Sequence, residues 1–379
     1  MKLAILLVLA LARTAIGYQY QMIGAVAPAM IADLGIGLAA IGTLVGLFMA
    51  PGLLLALPGG LLGQRFGDKA MCLAGFACLA AGAALAASAD GLTMLYAGRV
   101  LGGVGAAVVM VLNGKMAYDW FAGPRLALAV AVISSAQPVG TGLSLLLFAP
   151  LGAAADWRLG IASTGALAAL ALLLTALVYR RPPGLEPDSI AWSWPARREV
   201  KLVLIAGGLF AMFMAPFFAY LSFLPTALVA AGVAPGRIAI SLGLMAWLPM
   251  LVIPAGGWIA SRGRPNAVIL TGILVWGVCA WLVPVLDGAL WLFVIMGLIG
   301  SAPAGAIMAL PAEVVAPKHR AVALGLFMTV WYFGNTAAPP VAGWLGEIWP
   351  DPATPLQACA AFYLTGPLFL WWFRRAQRH

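Results

Sequence analysis

Charged side chains are what this sequence has least of. Only 9% of its 379 residues are Asp, Glu, Lys or Arg, and the acids number twelve, whereas soluble domains carry about 25% charge. That scarcity excludes a soluble globular domain. There are two histidines, His319 and His379, both in segments read as loops, and no cluster of metal ligands accompanies them. The four cysteines, Cys72, Cys78, Cys279 and Cys359, all fall inside apolar runs without metal-ligand spacing, so they read as small packing residues and imply no disulfide. The sequence also lacks a Walker-type phosphate loop and a Gly-x-Ser-x-Gly elbow. Catalysis is therefore unsupported and no cofactor is implied. ATP-driven transport would need a separate subunit.

What is present is apolar: 64% of residues are hydrophobic and the mean hydropathy is +1.03. The apolar runs last roughly 20–25 residues between short Gly, Pro, Asp or Arg punctuation, as membrane helices do and alternating barrel strands do not. The spacing predicts an all-α integral membrane protein with twelve spans at 4–28, 38–62, 70–88, 93–115, 125–150, 158–180, 199–230, 236–261, 266–286, 290–314, 321–347 and 356–373. The segment 181–198, with its Pro and Arg pairs, reads as a linker between a bundle over 1–180 and a second over 199–373, and 374–379 reads as a tail.

The formal charge of +9 is topological. With the amino terminus inside, only Arg13, Arg99, Arg158 and Arg237 fall away from the inner segments, and the opposite side carries Asp33, Asp90, Asp156, Asp287, Glu347 and Asp351. The positive-inside rule then places both termini in the cytoplasm of an inner-membrane protein. Nucleic acid is not implied, and the chain reads as a monomer in contact with lipid. A signal peptide, loosely mimicked by Lys2 and Ala12-Arg13-Thr14-Ala15, is the rival for the amino terminus, but removing it would leave an odd number of spans.

The two halves echo each other. Gly59-Gly60-Leu61-Leu62-Gly63-Gln64-Arg65-Phe66-Gly67-Asp68-Lys69 follows the second span, and Gly256-Gly257-Trp258-Ile259-Ala260-Ser261-Arg262-Gly263-Arg264 follows the eighth. The glycines would let helices approach closely, and the basic residues would meet helix C-termini and the cytoplasmic surface. Repeated parallel halves are a transporter design.

At these residues the chain resembles the major facilitator superfamily, whose loop between spans two and three carries Gly-x-Leu-Ala-Asp-Arg-x-Gly-Arg-Lys. Gly60, Leu62, Arg65, Gly67 and Lys69 match, while Gln64 stands where that family has aspartate and Asp68 where it has a basic residue. The second copy is one residue shorter, with Ser261 at the acidic place. A second family motif is matched in span four by Gly98-Arg99-Val100-Leu101-Gly102-Gly103-Val104-Gly105-Ala106-Ala107. The resemblance implies alternating access and structural or gating roles for Gly60, Arg65, Gly67, Lys69, Arg99, Gly103 and Arg262. Within the superfamily, the early arginine and Asp33-Leu34-Gly35 are similar to the cyanate and nitroimidazole porter group.

Arg13 lies about 10 residues into span one, roughly 15 Å deep, and a guanidinium at that depth costs at least about 2.5–3.5 kcal/mol. It shares a helix face with Gly17, Gln21 and Gly24, with Tyr20 beside it. Two readings stand: a guanidinium satisfied by neighbouring helices, or one that contacts substrate. All twelve acids fall in loops or near helix ends, so an anionic substrate is expected to balance Arg13. Arg99, set in a family motif tied to packing, is the weaker contact.

The expected binding set is Arg13, Tyr20, Gln21, Gln137, Tyr220, Trp331 and Asn335. By the resemblance, spans one, four, seven and ten line the cavity, helped by two, five, eight and eleven. Phe213, Phe217 and Tyr220 repeat at helical spacing beside Pro216 and Pro225, Ser134, Gln137, Pro138 and Thr141 cluster in span five, and Trp247, Ser301, Gly305 and Met308 suit wall or gate roles. The function expected is transport of a small, singly charged anion. The alternative is efflux of neutral or amphipathic compounds, favoured if aromatic residues of spans seven, eight and eleven dominate the cavity. A non-transporting membrane receptor is the remote alternative.

Overall fold

The computed structural model describes residues 2–56, 63, 65–121, 126–180, 182, 194–316 and 319–378. Gly60 and most of the 181–198 segment lie outside them. Twelve long helical segments run through the described residues, eleven of them long and apolar enough to cross a membrane, because backbone groups in hydrocarbon must bond within their own segment. They are α1 (Lys2–Leu34), α2 (Leu38–Leu55), α3 (Asp68–Ala87), α4 (Leu92–Phe121), α5 (Leu126–Phe148), α6 (Trp157–Val178), α7 (Arg197–Ala230), α8 (Pro235–Ser261), α9 (Pro265–Leu282), α10 (Leu290–Val314), α11 (Arg320–Ile348) and α12 (Thr354–Arg378). The spans α1 and α4 run nearly two turns further than the expected 4–28 and 93–115, and Asp33 and Asp119 lie in these extensions.

The spans form two six-helix bundles. In the first, α1 packs on α5 and α6, α3 on α4 and α6, and α2 on α4. In the second, α7 packs on α10, α11 and α12, and α9 on α10 and α12. Small residues set a close crossing in the first bundle: a Cβ on Gly82 of α3 would come 2.6 Å from the Gly98 carbonyl oxygen and 2.5 Å from the Gly102 amide of α4. Both glycines belong to the span-four motif, whose role here is packing.

The internal echo has a backbone basis. Gly67 and Gly263 take φ of +87° and +90° just before α3 and α9, and a Cβ on either would meet nothing within 4 Å. Left-handed turn geometry, rather than close helix approach, demands glycine at both places. Inside α10 the residues Met296–Gly300 widen into a π turn before Pro303, bending that helix beside the central cavity.

Between the bundles, α2 meets α11, α5 meets α8, and α1 meets α7. The contacts begin at the end of the molecule far from the two termini, where the Ala39 amide donates to Glu347 Oε1 at 2.9 Å. From there α2 and α11 interlock inward. A Cβ on Gly42 would overlap the Pro339 carbonyl, one on Gly46 the Thr336 carbonyl, and one on Gly52 the Tyr332 ring. The α5–α8 crossing sits at Gly142 and Trp247. At the terminal end, polar contacts run within each bundle: Lys115 pairs with Asp68 at 2.7 Å and Lys69 Nζ donates to the Ala176 carbonyl at 2.7 Å. In the second bundle Glu199 accepts from the Ala316 amide at 3.0 Å and Arg374 pairs with Glu313 at 2.6 Å. The molecule is closed at the far end.

Candidate functional site

A cavity of about 300 Å³ lies between the bundles on the terminal side of that closure. Four phenylalanines of α7, namely Phe210, Phe213, Phe217 and Phe218, form one wall with Met214. Met110 of α4, Met308 of α10, Trp331 of α11 and Tyr363 of α12 extend the apolar lining, and Pro249 and Ile253 of α8 close a side. Polar groups converge from few places: Ser134, Gln137 and Thr141 of α5, and Ser301 of α10. The lining thus comes from α4, α5, α7, α8, α10, α11 and α12. None of the residues lining the cavity comes from α1 or α2, which the resemblance expected in the wall; α1 reaches it only through the Arg13–Gln137 bond.

Gln137 is where a half-buried cation, Arg13, reaches this wall. Arg13 Nη1 donates to Gln137 Oε1 at 3.2 Å, and Arg13 Nε, buried, has no hydrogen-bond partner among the described residues. Two lining residues carry the same kind of orphan: the Trp331 indole Nε1 and the Tyr363 hydroxyl are buried without partners among the described residues. All three can donate hydrogen bonds, and buried donors left unmade are costly.

The remaining expected site residues are placed elsewhere. Tyr20, fully buried, donates from its hydroxyl to Asn335 Oδ1 at 3.4 Å and stacks on Phe48. Gln21 Nε2 donates to the Ser222 hydroxyl at 3.0 Å. Tyr20, Gln21 and Asn335 therefore join α1 to the second bundle above the cavity instead of lining it. Tyr220 turns away altogether: its hydroxyl donates to the Ala280 carbonyl of α9 at 3.1 Å and its ring meets Trp276 edge-on. Tyr220 follows Phe217 by three residues, just short of one turn, which sets the two side chains about 60° apart around the axis, so Phe217 lines the cavity while Tyr220 points to Trp276 and the α9 backbone. Trp331 and Gln137 alone of the expected set line the cavity.

Among the expected structural residues, Arg99 has the fullest set of partners. Its guanidinium donates to the carbonyls of Leu44 at 2.8 Å, Gln19 at 2.9 Å and Tyr20 at 3.2 Å, and lies 4.4 Å from the Phe48 ring centroid. It pins α4 to α1 and α2. Gly103 packs against the Phe48 carbonyl. Arg65, exposed, lies 5.3 Å from the ring of Phe66, and Arg262 stacks 3.7 Å over Trp258 at the end of α8. Sequence reasoning missed Phe210, Phe218, Met214 and Tyr363. Phe210, Phe213, Met214 and Phe217 do follow the i, i+3, i+4, i+7 pattern along α7, continued by Leu221 at i+11, but nothing in an apolar span distinguishes a cavity stripe from a packing stripe.

The sequence model of the Major Facilitator Superfamily matches residues 9–234 and again 204–379. Among solved structures, a bacterial homolog of the human lysosomal transporter Spinster, in an inward-facing and occupied conformation, aligns with a TM-score of 0.79 at 19% identity, covering 98% of this chain and 96% of that one. The nucleoside transporter NupG aligns at 0.77 and 16% identity, covering 100% and 99%. The E. coli xylose transporter XylE in its inward-open conformation aligns at 0.72 and 14%, covering 98% and 96%. Such identities establish likeness of fold. No curated protein matches the sequence.

Proposed function

The chain belongs to the major facilitator superfamily, and from that premise we propose that it carries a small amphipathic organic molecule bearing one acceptor-rich, anionic group. It is a multi-span membrane transporter and not an enzyme. The observation that carries the finer reading is the pairing of an apolar, aromatic cavity with a few unsatisfied donors. Phe210, Phe213, Phe217 and Phe218 suit a ring or short aliphatic body, and Gln137, backed by Arg13, suits a carboxylate or similar group. A bare inorganic anion fits less well, because the lining offers it few donors in exchange for its hydration shell. This narrows the anion expected from Arg13 alone toward the amphipathic alternative.

We read this far-end closure as the state open toward the termini. With the termini in the cytoplasm of the inner membrane, as the Lys and Arg skew supports, it is inward-facing, and rocking of the two bundles about α1–α7 exchanges access. The site lies within one chain, so a monomer suffices.

Thermal stabilisation of the purified protein across matched aromatic monocarboxylates, their neutral amides and inorganic anions tests the reading, followed by counterflow in proteoliposomes with the best ligand. Monocarboxylates should stabilise and be transported, with Arg13→Ala losing about tenfold to a hundredfold in apparent affinity. Equal stabilisation by amides with an Arg13→Ala variant unchanged would favour the neutral amphipathic reading. Response to inorganic anions alone would sink the amphipathic one.

A further inference from the structure

At the terminal end of the second bundle, a cleft of about 590 Å³ opens between the first turn of α7 and the last turns of α12. It is lined by Arg197, Arg198, Lys201, Trp371, Trp372 and Arg375, with Leu202 and Ala376 at its base. Arg197 and Lys201 are four residues apart and share one helix face. The nearby acids are engaged elsewhere. Glu199, on the same turn, accepts from the amides of Ala196 and Ala316 and lies 2.9 Å from His319 Nδ1, and Glu313 is bound to Arg374. Arg198 spends one donor on the Gln377 carbonyl at 2.9 Å, and Arg375 lies 5.2 Å from the Trp371 ring. Arg197, Lys201 and Arg375 have no carboxylate partner among the described residues.

The two indoles fix where the cleft stands. Trp371 and Trp372 are 60% and 47% exposed at the end of a membrane-spanning helix, the level at which tryptophan rings settle between acyl chains and headgroups. A groove at that level, with like-signed donors above and exposed indoles below, matches an anionic phospholipid: phosphate oxygens on the guanidinium groups and the acyl shoulder on the rings. We propose that this cleft is a binding site for the phosphate headgroup of an anionic phospholipid. Such a lipid ties the linker-proximal start of α7 to the end of α12.

The full-length protein, incorporated into nanodiscs of phosphatidylcholine containing a minor share of phosphatidylglycerol and then extracted, is analysed for retained lipid by native mass spectrometry. Phosphatidylglycerol should be retained well above its bulk share. Each of K201Q and R375Q should weaken phosphatidylglycerol binding about fivefold, and the combined R197Q/K201Q/R375Q chain should bring retention down to the bulk share. R197K/R375K, which keeps the charge, should retain most of the enrichment, so a failure of the triple variant to fold leaves the graded and conservative variants to decide. Bulk-level retention by the wild type, equal retention by the glutamine variants, or equal binding of soluble glycerol phosphate in lipid-free detergent would overturn the assignment.

Discussion

The Gln21 side chain of α1 donates to the Ser222 hydroxyl of α7 at 3.0 Å, joining the first helix of one bundle to the first helix of the other. Ser222 in turn donates to the Phe218 carbonyl at 2.9 Å, and a Cβ on Gly24 would come 2.5 Å from Ser222 Cα. With Tyr20 and Asn335 alongside, this layer seals the cavity from the far end, and it has to part whenever that end opens.

A side chain at Gly46 should therefore jam the closure. Its Cβ would overlap the Thr336 carbonyl oxygen, a backbone group of α11 that cannot swing aside. Gly46→Val is expected to abolish transport while raising alkylation of an Ala39→Cys reporter at the far rim, in comparison with Ala39→Cys alone. Unchanged labelling would mean that this interface does not govern far-side access.

Replacing Gln137 by Glu should separate acidic from neutral ligands. A carboxylate 3.2 Å from the Arg13 guanidinium would occupy the charge that the substrate is proposed to use. Binding of monocarboxylates should fall about tenfold or more, and binding of their neutral amides should stay within about twofold. Both measurements can be made as ligand-dependent shifts in Tm.

Phe217 and Tyr220 sit one turn apart on α7 and should respond differently. Phe217→Ala removes apolar wall and should weaken binding by about tenfold. Tyr220→Phe removes only the bond to the Ala280 carbonyl, so it should cost about 1 kcal/mol of stability and leave transport kinetics within about twofold.

Arg99 should be a stability residue. Arg99→Met keeps much of the volume but strands the carbonyls of Leu44, Gln19 and Tyr20, at a cost on the order of 2–4 kcal/mol. The expected result is a lower Tm with ligand affinity per folded molecule retained. Lost affinity without lost stability would point instead to a direct role in binding.

The twelve spans, the two-bundle layout and the echo around Gly67 and Gly263 were legible in the sequence. Hydrocarbon admits few solutions for a backbone, so runs of apolar residues and their punctuation determine the helices almost alone. The skew of Lys and Arg gave the expected orientation by the same local logic. The cation at Arg13 was visible because charge in an apolar span has few reasons to exist.

Which way each helix turns, and against what, was decided only by tertiary structure. Tyr20, Gln21 and Asn335 read as ligands because polarity in a span signals a partner, but the partner proved to be the other bundle, brought close by Gly24, Gly42 and Gly46. Conversely, Phe210, Phe218 and Tyr363 carried no signal, since an aromatic ring is equally at home against lipid, another helix or a cavity. Sequence determines that a side chain needs company. The packing of the two bundles against each other determines whether that company is protein or substrate, because it depends on contacts between residues up to 315 positions apart, as between Tyr20 and Asn335.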